Sequence, residues 1–337
     1  MASKNTLPNS GVPLWVSPET ELPARSNSMM DSWYFVCSCE CEGKKLGFQW
    51  HQQIMAMPGG MKFGQAEIEL MAAETQDFVS DVVIAPVSEA VGSDPDELHV
   101  FSPVGELTGD HKKMHLKAQC EKGNFDVEMV TNHILYNGVT GLLNFMGNSY
   151  QFGFTDMIVN GSLEIEGIKY EVKDAVAWFD RQWTLVTDSA DAAAVTESES
   201  GGGNFMPSWL WIGMALNTDG DALSLWDCYT STRNSFATVT HANGVQTIVP
   251  INVEYEETWT SEKTGAVYPR KFTVEIPQED ISLKFDSLLD KPEVVIEASG
   301  IHGSQNLCTV TGSFHGQEVS KDIIVELVGD ICGELPF

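Results

Sequence analysis

The sequence predicts an all-β protein built from antiparallel strands. Apolar and polar residues alternate with a period of two over many segments, and long helical periodicity is nearly absent. Short turn sequences rich in Gly, Asp and Lys separate these segments, as β-hairpins require. The chain has 337 residues, of which 42 % are hydrophobic, and this is enough for two hydrophobic cores. We therefore expect two antiparallel β-domains of barrel or sandwich type.

Three β-hairpins are the clearest elements. SWYFVCSCEC carries its aromatic and cysteine side chains on one face, and EGKK then turns the chain into LGFQWHQQI. GSLEIEGIKYEV turns at Glu166-Gly167, and LWIGMALNTDGDALSLWDCY turns at Asp219-Gly220. Further strands are predicted at FGQAEIELMA, FDVEMVTN, GVQTIVPINVEYEETW, KFTVEIP, ISLKFD, PEVVIEA, NLCTVTGSF and KDIIVELVG.

One low-complexity segment separates two strand-rich halves. TDSADAAAVTESESGGGN, residues 187–204, is rich in Ser, Gly, Ala and acidic residues, which predicts a linker or a flap. Residues 1–25 contain Pro and Ser and are expected to form an N-terminal arm. The expected domains are then 26–186 and 205–337.

The charge balance restricts the partners. The chain has 19 basic and 48 acidic residues, a formal net charge of −29, so it repels phosphate backbones and anionic lipids. We expect no nucleic-acid and no membrane partner. The first residues lack the basic and apolar regions of a secretory signal, and we expect a cytoplasmic monomer or homodimer.

The sequence shows no familiar metal or cofactor motif. Cys37, Cys39 and Cys41 are spaced by two residues instead of the C-x-x-C spacing of zinc sites, and they are expected to be buried thiols on one face of a strand. No HExxH sequence and no nucleophile elbow occur, and GGGNF neither follows a strand nor begins a helix. We predict no metal and no cofactor.

The stretch VAWFDRQW concentrates acid, guanidinium and indole groups. On a strand, Asp180 and Arg181 point to opposite faces, Asp180 together with Trp178 and Gln182, and Arg181 together with Trp183. In a structural interpretation each charge pairs with a group of a neighbouring strand, because an unpaired buried charge is costly. In a functional interpretation Asp180 is an acid in a reaction chamber. We expect Arg181 to be structural and leave Asp180 open.

The stretch LSLWDCY places a carboxyl group on an apolar stripe. Asp227 and Tyr229 share a face with Leu223 and Leu225, and burial there would favour a neutral Asp227 that can protonate an alkene. A solvated carboxylate, or one paired with Arg233, is the alternative. A tight Asp219-Gly220 turn sets Asp227 opposite Ile212, away from Trp209 and Trp211, which could form a flat ligand wall. A register shift of one residue would bring Asp227 beside Trp211.

Several blocks of the chain together resemble the carotenoid 1,2-hydratase superfamily, which includes the AttH-like proteins. They are DSWYFVCSCECEGKKLGFQW, FGFTDMIVNGSLEIEGIKYEVKDAVAWFDRQW, WLWIGMALNTDGDALSLW, GAVYPRKFTVEIPQEDISLKF and TGSFHGQEVSKDIIVELVG, in the family's order over most of residues 31–329. The chain departs from the family at Gln65, where many relatives have a histidine, and at GSQNLCTVTG.

The resemblance implies two lipocalin-like β-domains packed side by side, with a ligand chamber at or near their junction. It implies chemistry on a hydrophobic, unsaturated or prenylated small molecule, because known relatives hydrate isoprenoids or fold polyenes. We expect Asp227 or Asp180 to protonate a double bond, with Tyr229 as a further catalytic donor. The expected substrate-binding residues are Trp183, Trp209, Trp211, Trp178, Gln182, His51, Trp33 and Tyr34.

Three functions remain open at this point. A hydratase would add an external water, and a cyclase or isomerase would add the substrate's own hydroxyl. A pericyclase would need only orientation and a polar donor such as Tyr229 or Gln182. A lipocalin-type carrier would bind a lipophilic ligand unchanged.

Overall fold

The computed structural model describes residues 16–25, 28–56, 61–138, 142–144, 148–185, 208–229, 233–297 and 300–332. Within these ranges the regular structure is almost entirely strand, which confirms the all-β prediction. The helical segments described are one α-helix, α1 (Pro18–Glu21), and one 3-10 helix (Pro277–Glu279). No helix among the described residues has the length and apolar character needed to cross a bilayer.

The first sheet has thirteen antiparallel strands among the described residues, in the order β4-β3-β2-β1-β13-β12-β9-β8-β7-β6-β5, with β10 and β11 both paired to β12. Its strands are β1 (Ser28–Cys41), β2 (Lys44–Ala56), β3 (Lys62–Ala72), β4 (Asp77–Pro86), β5 (Gly92–Ser93), β6 (Leu98–Ser102), β7 (Gly105–Gly109), β8 (Lys113–Cys120), β9 (Gly123–Val130), β10 (Ile134–Tyr136), β11 (Leu142–Asn144), β12 (Asn148–Ile165) and β13 (Ile168–Leu185).

The second sheet has ten antiparallel strands in the described part of the chain, in the order β17-β16-β15-β14-β23-β22-β20-β19-β18, with β21 paired to β22. Its strands are β14 (Ser208–Ala215), β15 (Ala222–Tyr229), β16 (Arg233–Thr240), β17 (Gln246–Pro250), β18 (Asn252–Thr260), β19 (Val267–Ile276), β20 (Ile281–Ser287), β21 (Val294–Ile296), β22 (Ile301–Phe314) and β23 (Gln317–Val328).

The chain divides into two compact units. The first contains the described residues of 1–37, 48–70 and 79–195, and the second contains those of 38–47, 71–78 and 196–337. Each unit is built on one curled antiparallel sheet of lipocalin type. The second unit therefore also includes residues 38–47 and 71–78, which the sequence-based boundaries assign to the first domain. The predicted linker, 187–204, lies outside the described residues, and those boundaries stay a prediction.

Each unit has its own hydrophobic core. In the first, the rings of Phe35, Phe48 and Phe125 lie with centroids 5.0 to 6.0 Å apart. In the second, Phe272 and Phe285 stack at 4.5 Å within a large cluster of buried aliphatic residues. Ring stacking in fully buried positions adds to the free energy gained from removing apolar surface from water. These cores form one face of each sheet.

Two hairpins show how far turn sequences determine register. Ile165 pairs with Ile168 across Glu166-Gly167, as predicted, and both turn residues have positive φ. In the β14–β15 hairpin the predicted register is wrong by two residues, because Asp227 lies opposite Leu210 instead of Ile212. The loop is longer than a two-residue turn, since Asn217 Oδ1 accepts the backbone N–H groups of Asp219 and Asp221.

The three clustered cysteines only partly follow their prediction. Cys37 and Cys41 are buried, but Cys39 is half-buried. Cys39 Sγ lies 3.7 Å from Cys41 Sγ. Burial raises the pKa of the Cys39 thiol, with the neighbouring Cys41 as a further cause, so the thiol form is favoured. All seven cysteines lie in the described residues and are free thiols.

Candidate functional site

Strand β13 sorts the charged groups of AWFDRQW onto two faces of the first sheet. Arg181 lies on the core face, where its guanidinium carbon is 4.4 Å from the ring centre of Trp33 and 5.1 Å from that of Trp183. Asp180 therefore lies on the opposite face, as the alternation predicts. We call this second face, which carries polar side chains from β1, β2, β3, β12 and β13, the polar face of the first sheet.

Arg181 is a fully buried anchor for the segment that precedes β1. Its Nη2 donates to Asp31 Oδ1 at 2.5 Å, and both side chains are almost fully buried. Its other donors reach the backbone carbonyls of Glu21, Pro23, Ser32 and Gln182. Burial lowers the pKa of Arg181, and the Asp31 carboxylate opposes this shift. Through these contacts Arg181 holds the segment before β1 against the sheet, and the rings of Trp33 and Trp183 pack against its guanidinium group.

Asp180 is held as a hydrogen-bond acceptor on the polar face. Its Oδ1 accepts from Trp178 Nε1 at 2.8 Å, and its Oδ2 accepts from Gln151 Nε2 at 2.7 Å. Gln151 Oε1 in turn accepts from Asn137 at 2.7 Å. Gly153 lies opposite Asp180, and a Cβ there would lie 2.7 Å from its Oδ1. The strand pair therefore leaves room for this carboxylate only because residue 153 has no side chain.

His51 occupies the centre of a second polar group on the same face. Its Nδ1 lies 2.8 Å from Glu67 Oε1, and its Nε2 lies 2.8 Å from Ser32 Oγ and 3.1 Å from Gln53 Nε2. The ring also meets the edge of Tyr34 at 4.9 Å between centroids. Of these residues Ser32, Tyr34, His51 and Glu67 are buried. We call Ser32, Tyr34, Gln49, His51, Gln53, Gln65 and Glu67 the His51 cluster.

The partners of His51 define its tautomer. An amide nitrogen can only donate, so the contact with Gln53 makes Nε2 an acceptor in the neutral ring. The ring hydrogen then sits on Nδ1 and points at Glu67. A proton taken up at Nε2 would produce an imidazolium ion next to the Glu67 carboxylate. This is the arrangement of a general base that an acid orients and electrostatically supports.

Two amide atoms of the His51 cluster have no hydrogen-bond partner among the described residues. They are Gln49 Nε2, a donor, and Gln65 Oε1, an acceptor, and their side chains are 0 % and 5 % exposed. The other end of the Gln49 amide accepts from Tyr34 Oη at 3.1 Å. A buried amide atom without a partner is costly, so a polar group of a bound molecule would be favoured there.

In the second unit, Asp227 is buried, but its immediate contacts are polar, which corrects the expectation that apolar side chains surround it. Arg233 donates to both carboxylate oxygens at 2.9 Å, and three hydroxyl groups complete the shell. The hydroxyls belong to Ser235, Tyr255 and Tyr229, at 2.6, 2.8 and 3.0 Å. The fold thus realises the pairing of Asp227 with Arg233, the alternative left open by the sequence.

The Asp227 group keeps its tyrosines protonated. Burial raises the pKa values of Tyr229 and Tyr255, and the negative charge of Asp227 adds to both shifts. The hydrogen bond to Asp227 raises the pKa of Arg233. The cluster is therefore a carboxylate held by one cation and by neutral hydroxyl donors. Its oxygens are all engaged, which suits a positioning role more than proton transfer.

The indoles of β14 lie on the face away from Asp227. Trp209 Nε1 donates to Glu326 at 2.9 Å, and Trp211 lies 6.3 Å from Trp226 between ring centres. Trp211 pairs with Trp226, and Asp227 pairs with Leu210. The register shift of two residues preserves the predicted separation of Asp227 from the indoles.

The structure thus groups the sequence-derived candidates differently from the prediction. It brings Asp180 together with Trp178, and His51 together with Tyr34, on the polar face of the first sheet. Gln182 contributes its backbone carbonyl to Arg181. Sequence reasoning missed Glu67 and Ser32 as partners of His51. The alternation in FGQAEIEL, which places polar residues 65, 67 and 69 on one face of β3, was a signal that could have found Glu67.

Comparison with known proteins places the chain among AttH-like proteins. The family model described as AttH-like matches residues 17–318. The dehydratase asqC of Emericella nidulans is 27 % identical over 255 residues, which cover 68 % of this chain and 67 % of that protein.

Two solved structures resemble the fold. A crystal structure of an AttH protein from Nitrosomonas europaea has a TM-score of 0.76 and 19 % identity, over 94 % of this chain and 97 % of that one. Kievitone hydratase from Nectria haematococca has a TM-score of 0.72 and 19 % identity, over 94 % and 93 %. Since the family model covers most of the chain in one continuous match, the chain belongs to the AttH-like family.

Proposed function

We propose that this protein is a lyase that adds water to, or removes water from, a hydrophobic unsaturated small molecule, with His51 as the acid-base group. The observation that carries the proposal is the contact of His51 with Glu67 on one side and with Ser32 on the other, in a buried polar face. The names of two similar proteins, a dehydratase and a hydratase, support the reaction class.

In the proposed reaction one proton is transferred twice, first from the substrate to His51 and then from His51 to the departing hydroxide. In dehydration, His51 Nε2 takes a proton from carbon, the electron pair forms the double bond, and the C–O bond breaks. The departing hydroxide receives the proton from the imidazolium and leaves as water. Hydration is the reverse. Glu67 holds the ring orientation throughout, and Ser32 Oγ, at 2.8 Å from Nε2, is placed to relay the proton.

The unpartnered amide atoms define the substrate's polar end. Gln49 Nε2 can donate to a carbonyl or hydroxyl oxygen, and Gln65 Oε1 can accept from a hydroxyl. The ring of Tyr34, which contacts His51 and whose hydroxyl donates to Gln49, offers apolar surface in the same cluster. A hydrophobic molecule with an oxygen function near its reacting double bond, such as a prenylated phenol, fits these groups.

Asp180 and Asp227 remain the alternative proton donors that the sequence suggests. Asp180 is fixed by Trp178 and Gln151, and Asp227 is fixed by Arg233 and three hydroxyls. We assign both a structural role, as carboxylates that hold the groups around them in place. The same site would also suit the three alternative functions. Attack by a hydroxyl of the substrate would make the protein a cyclase, orientation without proton transfer would make it a pericyclase, and binding alone would make it a carrier.

The experiment that tests the proposal is incubation of the purified protein with a panel of prenylated phenols, hydroxylated isoprenoids and polyenes, followed by mass spectrometry. A lyase changes the substrate mass by one water and incorporates solvent oxygen from labelled water in the hydration direction. An isomer of unchanged mass would favour a cyclase or pericyclase, and an unchanged bound ligand would favour a carrier. Either result would overturn the lyase proposal.

A further inference from the structure

Three potential metal ligands lie close together at one end of the second sheet, and they do not belong to any metal-binding motif of the sequence. His241 follows β16, Glu279 lies in the 3-10 helix, and His315 lies in the turn between β22 and β23. One ligand atom from each residue lies within 4.8 Å of those of the other two. These residues are far apart along the chain, so no metal-binding spacing in the sequence identifies them.

The backbone holds these three elements together independently of the side chains. The N–H of His315 donates to the carbonyl of Asp280, the residue after Glu279, at 3.0 Å. The N–H of His241 donates to the carbonyl of Val245 at 2.8 Å and so fixes the turn from β16 to β17. The ligand atoms are therefore presented by ordered turns, as a metal site requires.

We propose that His241, Glu279 and His315 form a binding site for a divalent transition metal ion, with Zn²⁺ as the best fit. Two imidazoles and one carboxylate are a common zinc ligand set, and water completes the tetrahedron. His241 Nε2 lies 3.1 Å from Glu279 Oε2. Ligand atoms at about 2.0 to 2.1 Å from a tetrahedral zinc are roughly 3.3 Å apart, so this pair needs little movement.

The surroundings supply the partners that metal ligands usually have. Thr247 Oγ1 donates to Glu279 Oε1 at 2.5 Å, which leaves Oε2 for the ion. Asp221 Oδ1 lies 3.7 Å from His241 Nδ1, on the side of the ring away from Glu279. A carboxylate facing the far nitrogen of a ligating histidine fixes its tautomer and increases its basicity. Glu279 is buried and His315 is exposed, so the ion can enter from solvent.

The test is zinc titration of the reduced, tag-free full chain, monitored by calorimetry and by thermal unfolding. We expect one zinc ion per chain and a melting temperature that rises with zinc concentration. His241→Ala, Glu279→Gln and His315→Ala should each weaken binding at least about tenfold, and Asp221→Asn up to about tenfold. His99→Ala removes a half-buried histidine that also contacts a carboxylate, Glu106, and should bind zinc like the wild type.

The double variant His241→Ala, His315→Ala decides between this site and the free thiols. Loss of the stoichiometric zinc in this variant, with an unchanged melting temperature in the absence of zinc, supports the site. Unchanged binding in the double variant, or less than one equivalent bound by the wild type at saturating zinc, overturns the proposal. Cobalt(II) as a spectroscopic probe should show a tetrahedral visible spectrum in the wild type and not in the double variant.

Discussion

Arg181 shows how one buried cation is made tolerable by its neighbours. Taking a guanidinium out of water costs several kcal/mol, and the cost is recovered only when its donors find acceptors. Arg181 finds Asp31 and four backbone carbonyls, and two indoles flank its plane. The sequence predicted a paired, structural arginine, but not its partner, which lies 150 residues earlier.

The Arg181 contacts lead to a stability prediction. Asp31→Asn should lower the free energy of unfolding by about 3 kcal/mol, because it leaves a buried cation without its counter-ion. Urea denaturation followed by tryptophan fluorescence measures this. The control Glu166→Gln removes an exposed ion pair with Lys122 and should cost less than about 1 kcal/mol. Equal decreases in the free energy of unfolding of the two variants would contradict a stabilising role for the buried Arg181–Asp31 pair.

The Asp227 group leads to a pH prediction. The pKa values of Tyr229 and Tyr255 are raised in the folded protein, so their stabilising contribution is complete below the unfolded value of about 10. Above that pH the unfolded chain releases protons that the folded chain retains, and stability falls. The free energy of unfolding is measured from neutral pH to about pH 11. Above about pH 10 it should decline less steeply in the double variant Tyr229→Phe, Tyr255→Phe than in the wild type. Parallel profiles would argue against these shifts.

Strand pairing explains which parts of the fold were accessible from the sequence. A two-residue turn such as Glu166-Gly167 fixes register, because both positions need positive φ and the flanking residues must pair directly. In the β14–β15 hairpin the same reasoning was wrong by two residues, since Asn217 builds a longer loop with its own side chain. The predicted faces of the side chains were still correct, because a shift of two residues equals one side-chain period of a strand.

The sequence analysis did not identify β4 to β8, β10, β11 and β16, which are between two and ten residues long. Their identity depends on pairing with neighbours in the sheet, which a single short segment does not encode. The long strands, such as β12 and β13, carry enough alternation to be recognised alone.

The β12–β13 pair supports a prediction about Gly153. Gly153→Ala should destabilise the first unit by about 1 to 3 kcal/mol, because the new Cβ would press on Asp180 and on the Trp178 ring, both 2.7 Å away. Thermal unfolding and near-UV circular dichroism report the effect. Gly47→Ala is the matched control, since its nearest neighbour is the flexible Met71 side chain at 3.2 Å. A Gly153→Ala protein as stable as this control would refute the close packing.

Across the whole chain, the fold was predictable because its signals are many and spread over both halves. The candidate site was not, because its contacts join distant positions. His51 meets Glu67 and Ser32 on neighbouring strands, and Tyr255 reaches Asp227 from β18. A carboxyl group on an apolar stripe was visible in the sequence, but the arginine and hydroxyls that surround it were not. Residue types suggest chemistry, and only the fold decides which of them meet.

The proposed reaction depends most directly on His51 as the acid-base group. The decisive measurement is kcat for water addition or removal by His51→Gln relative to the wild type, with the best substrate of the panel and with folding verified by circular dichroism. We expect kcat to fall at least about a hundredfold, because general acid-base catalysis contributes that much. We expect Asp227→Asn, once shown to be folded, to retain most of the activity. Wild-type kcat in His51→Gln, with loss of activity in Asp227→Asn, would contradict the role of His51.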